Sequence, residues 1–249
     1  MFRHQGKSRT LKHNLQIATV LSFVAGMVNV TGFLAFHQLT TNVTGHFALF
    51  IHDVAGAEVW KGTVYFLYIF SFLLGSFLSG LLIEKYRNNR RLNVFVIPTM
   101  TECLVLVAVV VLGYGTGPEY ADMLVCLLLF AMGLQNSYVT KISNAVVRTT
   151  HLTGLFTDLG IDISHLFFPR SYPQRKRLRD NIRLRLFIIA FFFAGGLAGG
   201  FFYSALGMKL HTLLLCVLIL MTSLFYDNFR YTWIRARRHY KQKGVVHRR

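Results

Sequence analysis

The sequence predicts an all-α membrane protein of about six transmembrane helices, arranged as two inverted three-helix repeats. Each repeat is expected to carry an extra short re-entrant or broken helix led by a Thr-Thr-x-Val/Leu-Thr-Gly motif. Three observations carry that expectation. Apolar runs of bilayer-spanning length recur along the chain, Lys and Arg gather in a few of the segments between them, and the stretches "TTNVTG" (40–45) and "TTHLTG" (149–154) repeat far apart. With 249 residues, 53% of them hydrophobic, a soluble domain would have no interior large enough for so much apolar surface.

The runs are 15–36, 63–83, 94–114, 121–139, 186–206 and 210–226. Most reach the roughly 20 residues that about 30 Å of hydrocarbon requires, and the last and shortest fits a nearly upright helix. Arg3, Lys7, Arg9 and Lys12 flank the first run as they would a signal peptide. That run is longer than a signal core and ends without a small-x-small cleavage site, so it is expected to stay as a helix. Cys103, Cys126 and Cys216 fall inside runs at unrelated spacings, which gives no disulfide framework and reads as small packing residues.

The net charge of +17 is concentrated in "YRNNRR", "RSYPQRKRLRDNIRLR" and the tail "RYTWIRARRHYKQKGVVHRR". In a membrane protein that is an orientation signal and a means of contact with anionic headgroups, and nucleic acid is not expected as a partner. Two shorter segments, 44–60 and 153–168, test the count. With six spans, 25 of the 27 Lys and Arg lie on the side of the termini, and only Lys61 and Lys209 lie opposite. If both short segments crossed, the ratio would fall to 20 against 7. The bias favours six spans with the N- and C-termini on the cytoplasmic side and the short segments entering and returning. Burying their ionisable residues across a full span would also be costly.

The two halves match beyond the Thr motif. "GMVN" (26–29) pairs with "GLQN" (133–136), Asp53 falls opposite Asp162, and "GSFLSG" (75–80) pairs with "GGLAGG" (195–200). Three matches in one order predict a duplication, with units 1–115 and 116–235 followed by a basic cytoplasmic tail at 236–249. Three spans is an odd number, so the copies face opposite ways, and sites in such proteins form near the midplane where the repeats meet. The glycine-rich stretches read as close helix contacts, either internal or at a homodimer seam.

The candidate site follows from that symmetry. Asn29, Thr40, Thr41, Thr44 and Gly45 from the first unit, with Gln135, Asn136, Thr149, Thr150, Thr153 and Gly154 from the second, are the expected solute-binding residues. Thr and Asn begin helices well, and the free N–H groups of a helix start, beside hydroxyls, can hold a carboxylate, a phosphate or a polarised group. Gly45 and Gly154 admit a close approach. The competing reading is plain Thr/Gly packing between helices. Arg148 directly before the second motif suits an anion arriving from the cytoplasm, or serves as one more inner-face anchor.

At these residues the chain resembles the YoaK-like family of bacterial integral membrane proteins. The resemblance rests on "GMVNVTGFL", "TTNVTGH", "GLQNS" and "RTTHLTG", in order, and runs from about Leu15 to Tyr226. It implies a bacterial inner-membrane protein of about six helices and no particular substrate.

Ionisable residues within the apolar segments complete the set. Glu102, Asp53, Asp158 and Asp162 are candidates for proton coupling or cation contact. Asp158, Asp162 and His165 share one helical face, which a metal could use, but no zinc signature is present, and neither a metal nor any other cofactor is expected. The expectation is therefore a transporter or channel for a small polar solute. The alternative is a membrane-embedded enzyme or lipid-handling protein using His151, Asp158, Asp162 and His165. No GxSxG, Walker loop or HExxH is present to support it.

Overall fold

The computed structural model describes residues 11–87, 94–115, 117–143, 145–168 and 174–226. The basic flank at 3–9, the arginines at 90–91 and the tail at 236–249 lie outside the described residues. All regular structure among the described residues is helical: α1 (Leu11–Phe36), α2 (Val43–Ala55), α3 (Val59–Tyr86), α4 (Val96–Gly115), α5 (Ala121–Ser143), α6 (Leu152–His165), α7 (Arg175–Gly200) and α8 (Lys209–Tyr226). A π turn, Phe201–Ala205, extends α7. Every helix except α2 and α6 is long and apolar enough to cross a membrane. At 13 and 14 residues, α2 and α6 reach only about 20 Å.

Position in the bundle follows from composition. α1 and α5 are buried over 61% of their apolar stretch and the other four spans over 22–39%, so α1 and α5 are the centre and the rest form the lipid-facing ring. α3 presents Phe66, Phe70, Leu73, Phe77 and Leu81 outward, as a helix surrounded by hydrocarbon requires. α7 begins two to three turns before its apolar run, because Arg175–Arg185 are good helix formers that continue the helix into the polar zone.

Close contacts set the register. A Cβ on Gly26 would lie 2.0 Å from the carbonyl oxygen of Phe192, and one on Gly195 would lie 2.0 Å from that of Phe23. The same arrangement joins α3 to α5, where Gly75 meets the Phe130 carbonyl and Gly133 meets the Phe72 carbonyl, each at 2.1 Å. Contacts further along each pair rise together in number, Gly195 on Phe23 and Tyr203 on Leu34, Tyr68 with Asp122 and Glu84 with Lys141, so α1 runs parallel to α7 and α3 runs parallel to α5. Gly32 of α1 lies against Leu128, and Phe36 at the end of α1 packs on the cluster of Tyr68, Val125 and Leu129 near the start of α5, so α1 and α5 are antiparallel. Glu102 with Tyr138, and Gly113 with Leu124, make α4 antiparallel to α5.

The direction of the chain therefore reverses between α1 and α3 without α2 crossing. His37 after α1 and Ala145 after α5 both adopt left-handed backbone, with φ 55° and 62°, which ends each helix abruptly and turns the chain back toward it. α2 then lies antiparallel to the start of α3, with Val54 and Phe50 against Gly62 and His46 against Tyr65 and Tyr68.

The glycine contacts make a direct prediction. Gly26→Ala, Gly75→Ala and Gly133→Ala drive a methyl into backbone that no rotamer change can clear, and each is expected to cost about 1–3 kcal/mol or more. Gly80→Ala, with open space around its Cβ, is expected to be neutral or stabilising by up to about 1 kcal/mol. Unfolding of the detergent-solubilised protein in increasing SDS measures both, and equal losses at all four positions would refute the assigned contacts.

Candidate functional site

The first Thr motif folds back onto α1. The Thr40 hydroxyl donates to the Val28 carbonyl at 3.3 Å, and the Thr41 hydroxyl donates to Asn29 Oδ1 at 2.9 Å. Asn29 lies seven residues before the end of α1, so the chain dips about 10 Å back along the helix to reach it. Asn42 caps α2, its Oδ1 accepting the Gly45 N–H at 3.1 Å. His46 is 2% exposed, and its Nε2–H donates to the Leu39 carbonyl at 2.8 Å while the ring packs on Tyr65 and Tyr68. Thr44 is exposed. This half is closed by its own side chains.

The second motif is arranged otherwise. Thr149 is fully buried with its hydroxyl unpartnered, Thr150 is half-buried, and Thr153 is exposed. α6 starts at Leu152, but the residue at its cap, His151, makes no side-chain capping bond. A Cβ on Gly154 would meet the His151 ring, so the close neighbour that this glycine admits is the side chain three residues before it; at Gly45 the close neighbour is Asn42 in the same way. Beside this helix start lies a cavity of about 430 Å³ lined in part by Arg148, His151, Gly154, Arg177, Asn181 and Arg185. Arg185 of α7 pairs with Asp162 and, at 3.3 Å, with Asp158.

Between the two motifs, the central helices carry polar side chains inside the bundle. Gln135 is fully buried with both amide atoms unpartnered, and Asn136 Oδ1, Ser22 Oγ and Thr31 Oγ1 are likewise buried without a partner. Taking the Gly32–Leu128 contact as the register, a rise of about 1.5 Å per residue puts Asn29 and Asn136 within about 7 Å of the same level. Glu102 is fully buried between α4 and α5. Its Oε2 accepts the Tyr138 hydroxyl at 2.7 Å and its Oε1 is unpartnered.

The expected residues thus divide by location. Thr41 meets Asn29 directly and Thr40 bonds the carbonyl of the preceding Val28, and Gln135 and Asn136 occupy the corresponding stretch of α5, seven or eight residues from its end. Asp53 sits about 10 Å along α2 from His46, beside His52 and close to the turn into α3, away from the Asn29 contact. Asp158 and Asp162 are drawn to Arg185. Among the described residues no group of three or more His, Cys, Asp and Glu side chains is placed to hold a metal ion.

Sequence reasoning missed Arg185 and Tyr138. Arg185 immediately precedes the run beginning at 186, where hydropathy alone marks no helix. Tyr138 lies three residues after Gln135 on one face of α5, and that spacing was the available signal.

Four outer spans around two central ones that carry buried polar side chains define a multi-pass α-helical membrane protein. The family described as "Protein of unknown function (DUF1275)" matches residues 17–226, and the chain belongs to it. It is similar to the UPF0700 transmembrane protein YoaK of Bacillus subtilis (strain 168), with 27% identity over 179 residues, covering 70% of this chain and 78% of that protein. No solved structure matches it.

Two predictions follow from the contrast between the motifs. Asn42→Ala removes the α2 cap and is expected to cost about 1 kcal/mol, whereas His151→Ala at the α6 start costs little, as SDS unfolding of the two variants will show. Burial lowers the pKa of His46 from 6.5, opposed in part by its bond to Leu39. The native state therefore takes up fewer protons here than the unfolded chain. Stability held above pH ~6.5 should be lost as the pH falls through that value and below. His46→Gln should flatten this part of the profile, and an unchanged slope in the melting temperature between neutral and mildly acid pH would contradict it.

Proposed function

We propose that this protein is a transporter or channel of the bacterial inner membrane that passes a small polar solute through a central site shared by two inverted repeats. The observation that carries this reading is the set of polar side chains on α1 and α5, Ser22, Thr31, Gln135 and Asn136, buried in the bundle with atoms that no protein group satisfies. Leaving such a group without a partner costs about 1–3 kcal/mol, so residues of this kind in a membrane core are explained by water or solute that reaches them.

The duplication is supported by contacts made twice. Gly26 corresponds to Gly133, Gly195 to Gly75, Phe23 to Phe130 and Phe192 to Phe72, and each glycine meets the carbonyl of the phenylalanine three residues before its partner. The first copy's α1 and the second copy's α7 run one way, and α5 and α3 run the other, as copies of three spans facing oppositely would. The termini are cytoplasmic in this reading, since the basic segments lie on their side.

Within the same reading the two halves stand in different conditions. Thr40, Thr41 and His46 close the outer half by bonding to α1 and to the Leu39 carbonyl. The inner half leaves Thr149, Gln135 and Asn136 unpartnered, and a polar cavity opens at the α6 start, lined by Arg148 and His151 on either side of Thr149 in the chain. An inward-open site, closed on the far side by the first motif, is the arrangement that alternating access requires. Glu102, with Tyr138 on one oxygen and nothing on the other, is the group placed to carry a proton if transport is coupled.

Thiol accessibility tests the path. In a background with Cys103, Cys126 and Cys216 replaced by Ala, single cysteines at 29, 135 and 136 should react with a charged, membrane-impermeant methanethiosulfonate. Cysteines at the lipid-facing positions 73 and 77 should not. Labelling at 29 and 136 no faster than at 73 and 77, from either side of the membrane, would remove the central path.

A further inference from the structure

The cavity at the start of α6 has the chemistry of an oxyanion site. Three arginines, Arg148, Arg177 and Arg185, share it with a single carboxylate, Asp158, and with Asn181 and His151. Arg185 is committed to Asp158 and Asp162, which fixes its guanidinium and leaves the local balance to the other two. Arg148 and Arg177 form no ion pair among the described residues, and both are exposed.

The helix start adds to them. The first backbone bond of α6 runs from Leu155 N–H to the His151 carbonyl at 3.1 Å, so the N–H groups of Leu152, Thr153 and Gly154 have no helical acceptor. In α2 the equivalent donor is taken by Asn42, and in α6 no side chain takes it. The Thr149 hydroxyl, fully buried and unpartnered, lies in the chain between Arg148 and His151. Forked guanidinium donors and free N–H groups with a partial positive charge together recognise phosphate or carboxylate oxygens. At about 430 Å³ the cavity lies within the ordinary range for small-molecule sites, and Leu155 and Leu184 give it an apolar wall.

We infer that this cavity binds the oxyanion group, phosphate or carboxylate, of a small anionic solute, with Arg148 and Arg177 as its charged contacts and the α6 start as its backbone contact. The inference names the solute class of the proposed transporter, and rests on that reading for its role as the inner mouth of the path. The same chemistry would accept the phosphate of an anionic lipid, so the test has two arms.

Protein in phosphatidylcholine nanodiscs is titrated calorimetrically with sodium phosphate and, separately, sodium acetate, at constant ionic strength set by chloride. Saturable binding of at least one probe is expected. It should weaken by about tenfold or more in Arg148→Gln and in Arg177→Gln, as loss of a charge-assisted bond implies, and not in Arg183→Gln on the same helix. Repeating the titration in phosphatidylglycerol nanodiscs separates the sources. Unchanged affinity assigns the site to a free solute, and competition by the lipid assigns it to a headgroup. Absence of saturable binding in either disc, or equal weakening by Arg183→Gln, overturns the site. Equilibrium binding reads the cavity and thiol labelling reads the central path, so failure of one leaves the other standing.

Discussion

Two reciprocal backbone contacts set this bundle: Gly26 and Gly195 bring α1 onto α7, and Gly75 and Gly133 bring α3 onto α5. Lipid tails are as apolar as the side chains they would replace, so helices gain little from hiding apolar surface from each other in a membrane. Association depends instead on close van der Waals packing and on the Cα–H contacts that near approach of backbones permits. A Cβ at any of the four positions would sit inside a carbonyl oxygen. That constraint fixes the rotation of α1 and α5 as well as their register. Asn29 and Asn136 come three residues after Gly26 and Gly133, and so are held near the level of tightest packing.

The cost of polar groups then separates the two halves. In the first, the Thr40 and Thr41 hydroxyls and the His46 Nε2–H find acceptors on α1 and at Leu39, while Ser22, Thr31 and His46 Nδ1 stay without a partner. In the second, the corresponding threonine, Thr149, and the amide of Gln135 have no such partners. The two Thr motifs therefore end in different surroundings. The difference lies in the sequence: Asn42 caps α2 through its amide, while His151 at the matching place lays its ring over Gly154 and leaves the helix start uncapped.

Much of the architecture was legible beforehand because lipid imposes a simple rule. Spans must be long and apolar, and the six runs coincide with the six long helices, differing mainly at their ends. The start of α2 was also readable from a capping residue, Asn42, whereas α6 begins after His151, whose side chain caps nothing. Side-chain partnerships across the bundle were harder. Arg185 was assigned to a loop because hydropathy falls at a run of basic residues, whereas α7 continues through it and delivers the guanidinium to α6. Asp53 and Asp162 occupy matching positions in sequence, yet Asp53 pairs with its own neighbour His52 on α2 while Asp162 is reached by Arg185 from α7.

That last difference bears on how the two short helices are fastened. α2 is held by aromatic packing of His46 on Tyr65 and Tyr68 and by a neutral hydrogen bond to Leu39, neither of which responds to a nearby anion. α6 is held on α7 through Arg185, whose attraction to Asp158 and Asp162 depends on the surrounding charge. An oxyanion entering the proposed cavity meets the same guanidinium that fastens α6. Ligand and carboxylates therefore compete for one cation, at strengths set by distance and by how much water remains between them. α6 is thus the short helix fastened by an ion pair that such a ligand would contest, while α2 is fastened without one.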